Sequence, residues 1–395
     1  MRYFSIGLLT LFLLSCNSSD NKDDNNRLDT TTVSKDQLGN ELLIVDTHID
    51  LPYRLSFESG PVDVTKDLSK GHFDYVKARK GGLNVAFMSI YTPPSTAGKN
   101  GFILANDLID LVDSLGNKFP DKFKVVNSPE QIEDNFKKDI IYLPLGMENG
   151  SPINNNLENL DHFYERGIRY ITLCHFKSNE ICDSSTDTDQ PNNGLSDFGI
   201  QVVKRMNELG IMVDVSHVSD KTISDVLKIS TDPIIASHSG CRALTPSFPR
   251  NLPDSLIMRI KDNGGVVMIN FGSIFLNKEA SSNFMKIFNE LEERNIEAGS
   301  KEAQQLMAEL IKKYPVKSKV SDILDHIDHV VEIAGIDYVG FGSDFDGVTS
   351  LPDNINSVAD YSLILEGLKE RGYSNEEISK IAGGNLMRVW KQVSN

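Results

Sequence analysis

The chain has 395 residues, 39% of them hydrophobic, and 56 acidic against 40 basic side chains give a formal charge of −16. That apolar content suffices for a large core, and the acidic balance, with no clustered excess of Lys and Arg, argues against nucleic acid as a partner. None of the 4 cysteines belongs to a CxxC pair, so a thiolate zinc site is not expected.

The N-terminus carries an export signal. Met1-Arg2 is a short basic start, residues 3–14 are apolar but too few to span a bilayer, and Ser15-Cys16 follow directly. The segment resembles a bacterial lipoprotein signal, which implies that Cys16 becomes the first residue of the mature chain and carries acyl groups. Each buried methylene of such a chain adds roughly 0.8 kcal/mol of membrane affinity. An ordinary secretory signal with a chance cysteine is the alternative. Residues 17–40 are rich in Asn, Asp, Ser and Thr and cannot bury enough surface to fold, so they read as a disordered tether. Within it, Lys22-Asp23-Asp24 resembles the acidic sorting stretch of some surface-displayed lipoproteins, or is solvated linker. The expected organisation is therefore a signal at 1–16, a tether at 17–40 and one catalytic domain at 41–395. The expected location is a bacterial membrane, on the periplasmic or the cell-surface face.

Eight apolar runs follow in the domain: 42–50, 83–91, 141–149, 169–176, 211–218, 233–239, 265–272 and 338–345. Each is short and rich in Val, Ile or aromatics, and stretches of helical periodicity separate most of them, which predicts repeated βα units around a parallel sheet. Eight units predict a closed (β/α)8 barrel in a single domain, and about 355 residues beyond the tether fit one such barrel with helical insertions. In this architecture catalytic residues come from the C-terminal ends of several strands.

Polar residues able to bind metal stand at those ends. In Asp46-Thr47-His48-Ile49-Asp50, His48 and Asp50 are two apart on a strand and project to one side, so they can share an ion. Alone, such a pair reads more readily as a hydrogen-bonded couple. Glu148 closes the third run, and its two oxygens could bridge two cations. His217 and His238 close the fifth and sixth runs in parallel contexts, DVSH and IASH, and neutral imidazole is a favoured zinc ligand. Either histidine alone reads as a satisfied core group; five such residues on compatible strands do not. Asp344 closes the eighth run. Cys174, Cys182 and Cys241 are read as structural, since an odd count excludes full pairing.

The segments VDTHIDL, LGMENG, LCHF, DVSH, ASHSGCRAL, the PRN at 249–251, GFGSDFDG and the C-terminal GGNLMRVW resemble the membrane dipeptidase family, the renal dipeptidase-like zinc dipeptidases. The resemblance implies two zinc ions, one on His48 and Asp50, one on His217 and His238, bridged by Glu148. It also implies that His175 faces the substrate, Arg250 helps to bind it and Asp344 moves the proton. Dipeptides of broad specificity, including some with C-terminal D-residues, are then the expected substrates. A water shared by two zinc ions is ionised near neutral pH and would be the nucleophile. His175 would donate to the developing oxyanion, or would only support the ligands. Asp344 would pass a proton to the leaving amine, or would be a sixth ligand. Arg250 suits the substrate carboxylate because its planar fork makes two parallel hydrogen bonds.

Two other functions stay open at this point, a related binuclear hydrolase acting on a non-peptide amide or ester and a zinc-carrying lipoprotein without catalysis. Five ligands shared by two ions leave open positions, which favours catalysis over storage. His326 and His329 lie on a predicted outer helix, His72 and His162 lack ligand-like neighbours, and Asp344-Phe345-Asp346-Gly347 lacks the further oxygens of a calcium loop. The charged insertion at 276–314 reads as helical: a cap on the site, a contact for a second subunit in a homodimer, or a solvated hairpin.

Overall fold

The structure, a computed structural model, describes residues 42–58, 60–134, 136–294, 296 and 301–394. The expected signal, Cys16 and the expected tether therefore lie outside the described residues. Among the described residues there are ten strands: β1 Ile44–Ile49, β2 Leu83–Tyr91, β3 Phe123–Val125, β4 Ile141–Leu143, β5 Leu145–Glu148, β6 Ile168–Thr172, β7 Met212–Asp214, β8 Ile235–Ser239, β9 Val266–Ile269 and β10 Val339–Phe341. All pair in parallel. β1, β10, β9, β8, β7, β6, β5 and β2 follow in order, and a β1–β2 pairing closes the ring, so the expected eight-stranded barrel is present with helices around it.

The third predicted run is two strands rather than one. Pro144 has no N–H to give to the ladder, so it separates β4 from β5, although its carbonyl still accepts from Met88 N at 2.9 Å. β3 adds to the outer edge of β4. This three-residue strand, Phe-Lys-Val, is too short and too polar to show in a periodicity reading.

The barrel interior is filled by alternate inward residues, among them Val45, Phe87, Tyr142, Tyr170, Met212, Ile235 and Met268. The end at which the strands begin is closed by helix Asn385–Ser394. Trp390 of that helix is fully buried with its ring 5.0 Å from that of Phe87, and Arg388 bonds the carbonyls of Gly264 and Asp337 just before β9 and β10. Function is thereby left to the opposite end. The surrounding helices start and stop on local signals: Ser196 caps helix Asp197–Leu209 by accepting from Gly199 N, and Gly210 ends it in a left-handed conformation.

Several runs leave the ladder earlier than their hydrophobicity suggests. β6, β7 and β10 stop three residues before His175, His217 and Asp344, and the last two have positive φ of 70° and 63°. Left-handed backbone at non-glycine residues is uncommon and clusters where a site dictates side-chain direction. The insertion is helical, as Lys278–Glu293 and Lys301–Lys313. Among the described residues no helix is long and apolar enough to cross a membrane, and the three described cysteines are buried and free.

Candidate metal centre

His48, at the end of β1, is aimed by its neighbours. The Tyr170 hydroxyl donates to Thr47 O at 3.0 Å, so toward His48 Nδ1, 2.8 Å away, it accepts. That fixes the proton on Nδ1 and leaves Nε2 as a buried lone pair with no hydrogen-bond partner. Room for the Tyr170 ring comes from Gly146 of β5, where a Cβ would overlap it. His238 on β8 is held in the same way. Ser237 Oγ donates to Asp214 Oδ2 at 2.6 Å and therefore accepts from His238 Nδ1 at 2.8 Å. A carboxylate, a hydroxyl and an imidazole thus form one line behind the site, an arrangement that sets ligand tautomer and basicity.

Glu148, at the end of β5, lies at the centre. Its Oε2 is 3.5 Å from His48 Nε2, and its Oε1 is 3.1 Å from His217 Nε2 and 3.3 Å from both His238 Nε2 and His175 Nε2. Asp50 Oδ2 is 3.5 Å from His48 Nε2, and Asp50 Oδ1 is buried without a partner. The Nε2 atoms of His217 and His238 are 2.9 Å apart. Most of these separations are too long for good hydrogen bonds but match the edge of a tetrahedron of ligands about 2.0–2.1 Å from zinc, roughly 3.3 Å. The donor set therefore fits metal. Three overlapping groups could each hold an ion: His48, Glu148 and His238; Glu148, His175 and His217; and His48, Asp50 and Asp344. They contain all five predicted ligands together with His175 and Asp344.

Electrostatics agree with a cation site. Burial pushes the His48 imidazole down, but Tyr170, Glu148 and Asp50 outweigh it and hold its pKa well above the usual range, a demand for positive charge that a metal meets as well as a proton. Burial raises the Glu148 carboxyl, yet His175 and His48 hold it well below the usual range and so ionised. Burial, joined by the charge of Arg250, keeps His217 and His238 neutral, the state a ligand requires.

Asp344 and Asp50 approach closely because Gly347 has no Cβ to separate them from the backbone. Burial, then the charges of Asp50 and Glu148, raises the Asp344 carboxyl well above its usual range, while Asn270 Nδ2 donates to its Oδ2 at 2.8 Å. Asn270, Tyr170, Ser237 and Asp214 were not singled out in the sequence. The one available signal was a hydroxyl directly before a candidate ligand histidine, Ser237-His238.

Arg250 is buried, not solvated: only 3% of its surface is exposed. Nη1 donates to Ser239 Oγ and Nη2 to His238 O, both at 2.8 Å, its guanidinium lies 5.3 Å from the centre of the Phe275 ring, and Nε has no partner. Burial lowers its pKa to about 10, so it stays charged at neutral pH. His326 and His329 sit on helix Val320–Ile333 as expected, each in hydrogen bonds and neither in a ligand group. His72 accepts from Asp346 N at 2.9 Å and bonds the same aspartate through its own N–H, so it holds the loop after β10.

The cluster opens into a cavity of about 340 Å³ lined in part by Asp50, Glu148, His175, His217 and Asp344, a size suited to a small ligand. A ladder of rings forms one wall, with Tyr53 4.7 Å from Tyr91, Tyr91 4.7 Å from His175 and His175 4.1 Å from Phe176.

Comparison with known proteins agrees with this geometry. An uncharacterized dipeptidase of Schizosaccharomyces pombe is 32% identical, over 88% of this chain and 80% of its own length. The solved structure of a probable dipeptidase, PvdM of Pseudomonas aeruginosa, superposes with a TM-score of 0.81 at 27% identity, covering 90% of this chain and 96% of that one. A metallopeptidase of Rhodobacter sphaeroides, solved with a phosphinate mimic of L-Ala-D-Ala, shares the fold at a TM-score of 0.75 and 22% identity, over 89% of this chain and 99% of that one. The family model for membrane dipeptidases matches residues 34–395, so the chain belongs to peptidase family M19 and is a metallo-dipeptidase.

Proposed function

We propose that this chain cleaves dipeptides with two zinc ions, one held by His48 and Asp50, the other by His217 and His238, with Glu148 shared between them. The observation that carries this reading is the split of Glu148, whose Oε2 faces His48 while Oε1 faces His217 and His238. Three imidazoles among five ligands favour zinc over magnesium. Ions bound by these residues would supply Lewis-acid chemistry, lowering the pKa of a water nucleophile and polarising the scissile carbonyl.

The chain's own residues do the rest. Asp344, its Oδ2 steadied by Asn270, takes up a proton as the amide is attacked and returns it to the leaving amine. His175, on the cavity wall, donates to the substrate oxygen as it gains charge. Arg250 lies behind the cavity rather than in its lining, with Nη1 and Nη2 held by Ser239 and His238, and its charge and partnerless Nε would serve the substrate carboxylate. The L-Ala-D-Ala mimic in the Rhodobacter sphaeroides structure is the reason to include C-terminal D-residues among the substrates. Export and acylation at Cys16 would hold the enzyme on a bacterial membrane, at the periplasmic or cell-surface face.

A panel of L,L- and L,D-dipeptides, their amidated or acetylated analogues and tripeptides, run with and without zinc, tests the reading. Zinc-dependent cleavage of free dipeptides with two ions per chain is expected, and full activity with one ion or none overturns it. Replacing Cys16→Ser should release the protein from the membrane fraction; retention after signal processing refutes the anchor.

A further inference from the structure

Besides the Tyr53–Tyr91 ladder the cavity has a second wall, built by the loop after β8 and the segment after β9. It consists of Phe248, Ile274, Phe275, Phe284, Met285 and Phe288. The last three belong to helix Lys278–Glu293, the first half of the insertion.

Ala280, Ile287 and Leu291 are 1%, 1% and 6% exposed and form the buried centre of the helix's apolar stripe. Phe284, Phe288 and Met285 continue along one edge of that stripe and are only partly buried, because what they face is the cavity. Partly exposed aromatics on a cavity wall forgo part of the benefit of burial until something apolar covers them. The Met between them can adjust to different shapes.

The charged residues of the cavity offer nothing to a charged substrate side chain. Asp50, Glu148 and Asp344 face the metal cluster, Asp187 is paired with Lys177 at 3.0 Å and Asp346 with Arg54 at 3.0 Å. A Lys, Asp or Glu side chain entering between the two walls would be desolvated with no free opposite charge to meet it, only the hydroxyls of Ser185, Thr186, Thr188, Thr349 and Ser350, which is costly.

We infer that helix Lys278–Glu293 is a specificity wall that selects dipeptides bearing a large apolar or aromatic side chain and rejects those with charged ones. The inference rests on the dipeptidase reading and narrows its substrate class. Covering a Leu- or Phe-sized side chain between the two walls corresponds to roughly 10- to 100-fold in kcat/KM over Gly or Ala.

The test is a steady-state panel on the zinc-loaded wild-type enzyme, with Gly, Ala, Leu, Phe, Asp and Lys varied at each dipeptide position, repeated on Phe284→Ser/Phe288→Ser. The wild type should prefer Leu and Phe by that factor, and the double variant should lose about 10-fold of the preference. Similar kcat/KM for all side chains in the wild type overturns the inference while leaving the dipeptidase reading intact, and that measurement needs no variant to fold. A variant that loses the same factor on every dipeptide also overturns it. Cleavage of no dipeptide by the wild type would instead refute the dipeptidase reading, and the inference with it.

Discussion

Ser237→Ala removes one oxygen atom and tests how the centre is held together. Ser237 Oγ gives its proton to Asp214 at 2.6 Å and takes one from His238 Nδ1 at 2.8 Å, and all three residues are buried. Without it, Asp214 retains Thr172 Oγ1 and the backbone N–H groups of Ser216 and Ser237, so the carboxylate stays satisfied. The His238 Nδ1–H loses its acceptor, and nothing then favours the tautomer that turns the Nε2 lone pair toward Glu148. Loss of such an outer hydrogen bond usually costs 10- to 100-fold in metal affinity, about 1.4–2.7 kcal/mol. Competition with a chromophoric zinc chelator should show one of two ions weakened by that factor, with kcat restored at saturating zinc. Unchanged affinity for both ions, or an equal loss at both, would refute the relay.

Three further outcomes follow from the same geometry. Asp344→Asn keeps the shape and the Asn270 contact but cannot carry the proton, so kcat should fall roughly 10²-fold with both ions retained; zinc loss in parallel with rate would make Asp344 a ligand instead. Arg250→Lys loses the planar fork, so KM for free dipeptides should rise and the discrimination against C-terminal amides should shrink, whereas unaltered discrimination would remove Arg250 from carboxylate recognition. His326 accepts from Cys241 N and donates to Leu276 O, and burial brings its pKa down to about 4, so it folds neutral. Its contribution is complete above about pH 6.5 and is lost as pH falls toward 4, by up to about 3 kcal/mol; urea midpoints that fall in parallel for wild type and His326→Gln would contradict this.

The barrel was legible in the sequence because its signal is local. A strand covered on both faces must be apolar along its length, and eight such runs spaced by amphipathic helices leave few other ways to bury them. The five candidate ligand positions stood out for a related reason, since a His, Asp or Glu closing an apolar run conflicts with its surroundings unless something at the strand end needs it. What surrounds those ligands depends on contacts between residues far apart in the chain, and no periodicity encodes them. Tyr170 reaches His48 across 122 positions and Asn270 reaches Asp344 across 74. Burial of Arg250 follows from where its loop packs, on the Phe275 ring and against the His238 carbonyl. The same holds for helix Lys278–Glu293: its composition allowed a cap, a subunit contact or a solvated hairpin, and only the closed barrel brings Phe284, Met285 and Phe288 over the site. Sequence determined which residues can bind metal and roughly where each strand ends. Tertiary structure decided their protonation, their aim and the shape of the space in front of them, because those depend on the field and packing of neighbours that the fold alone brings together.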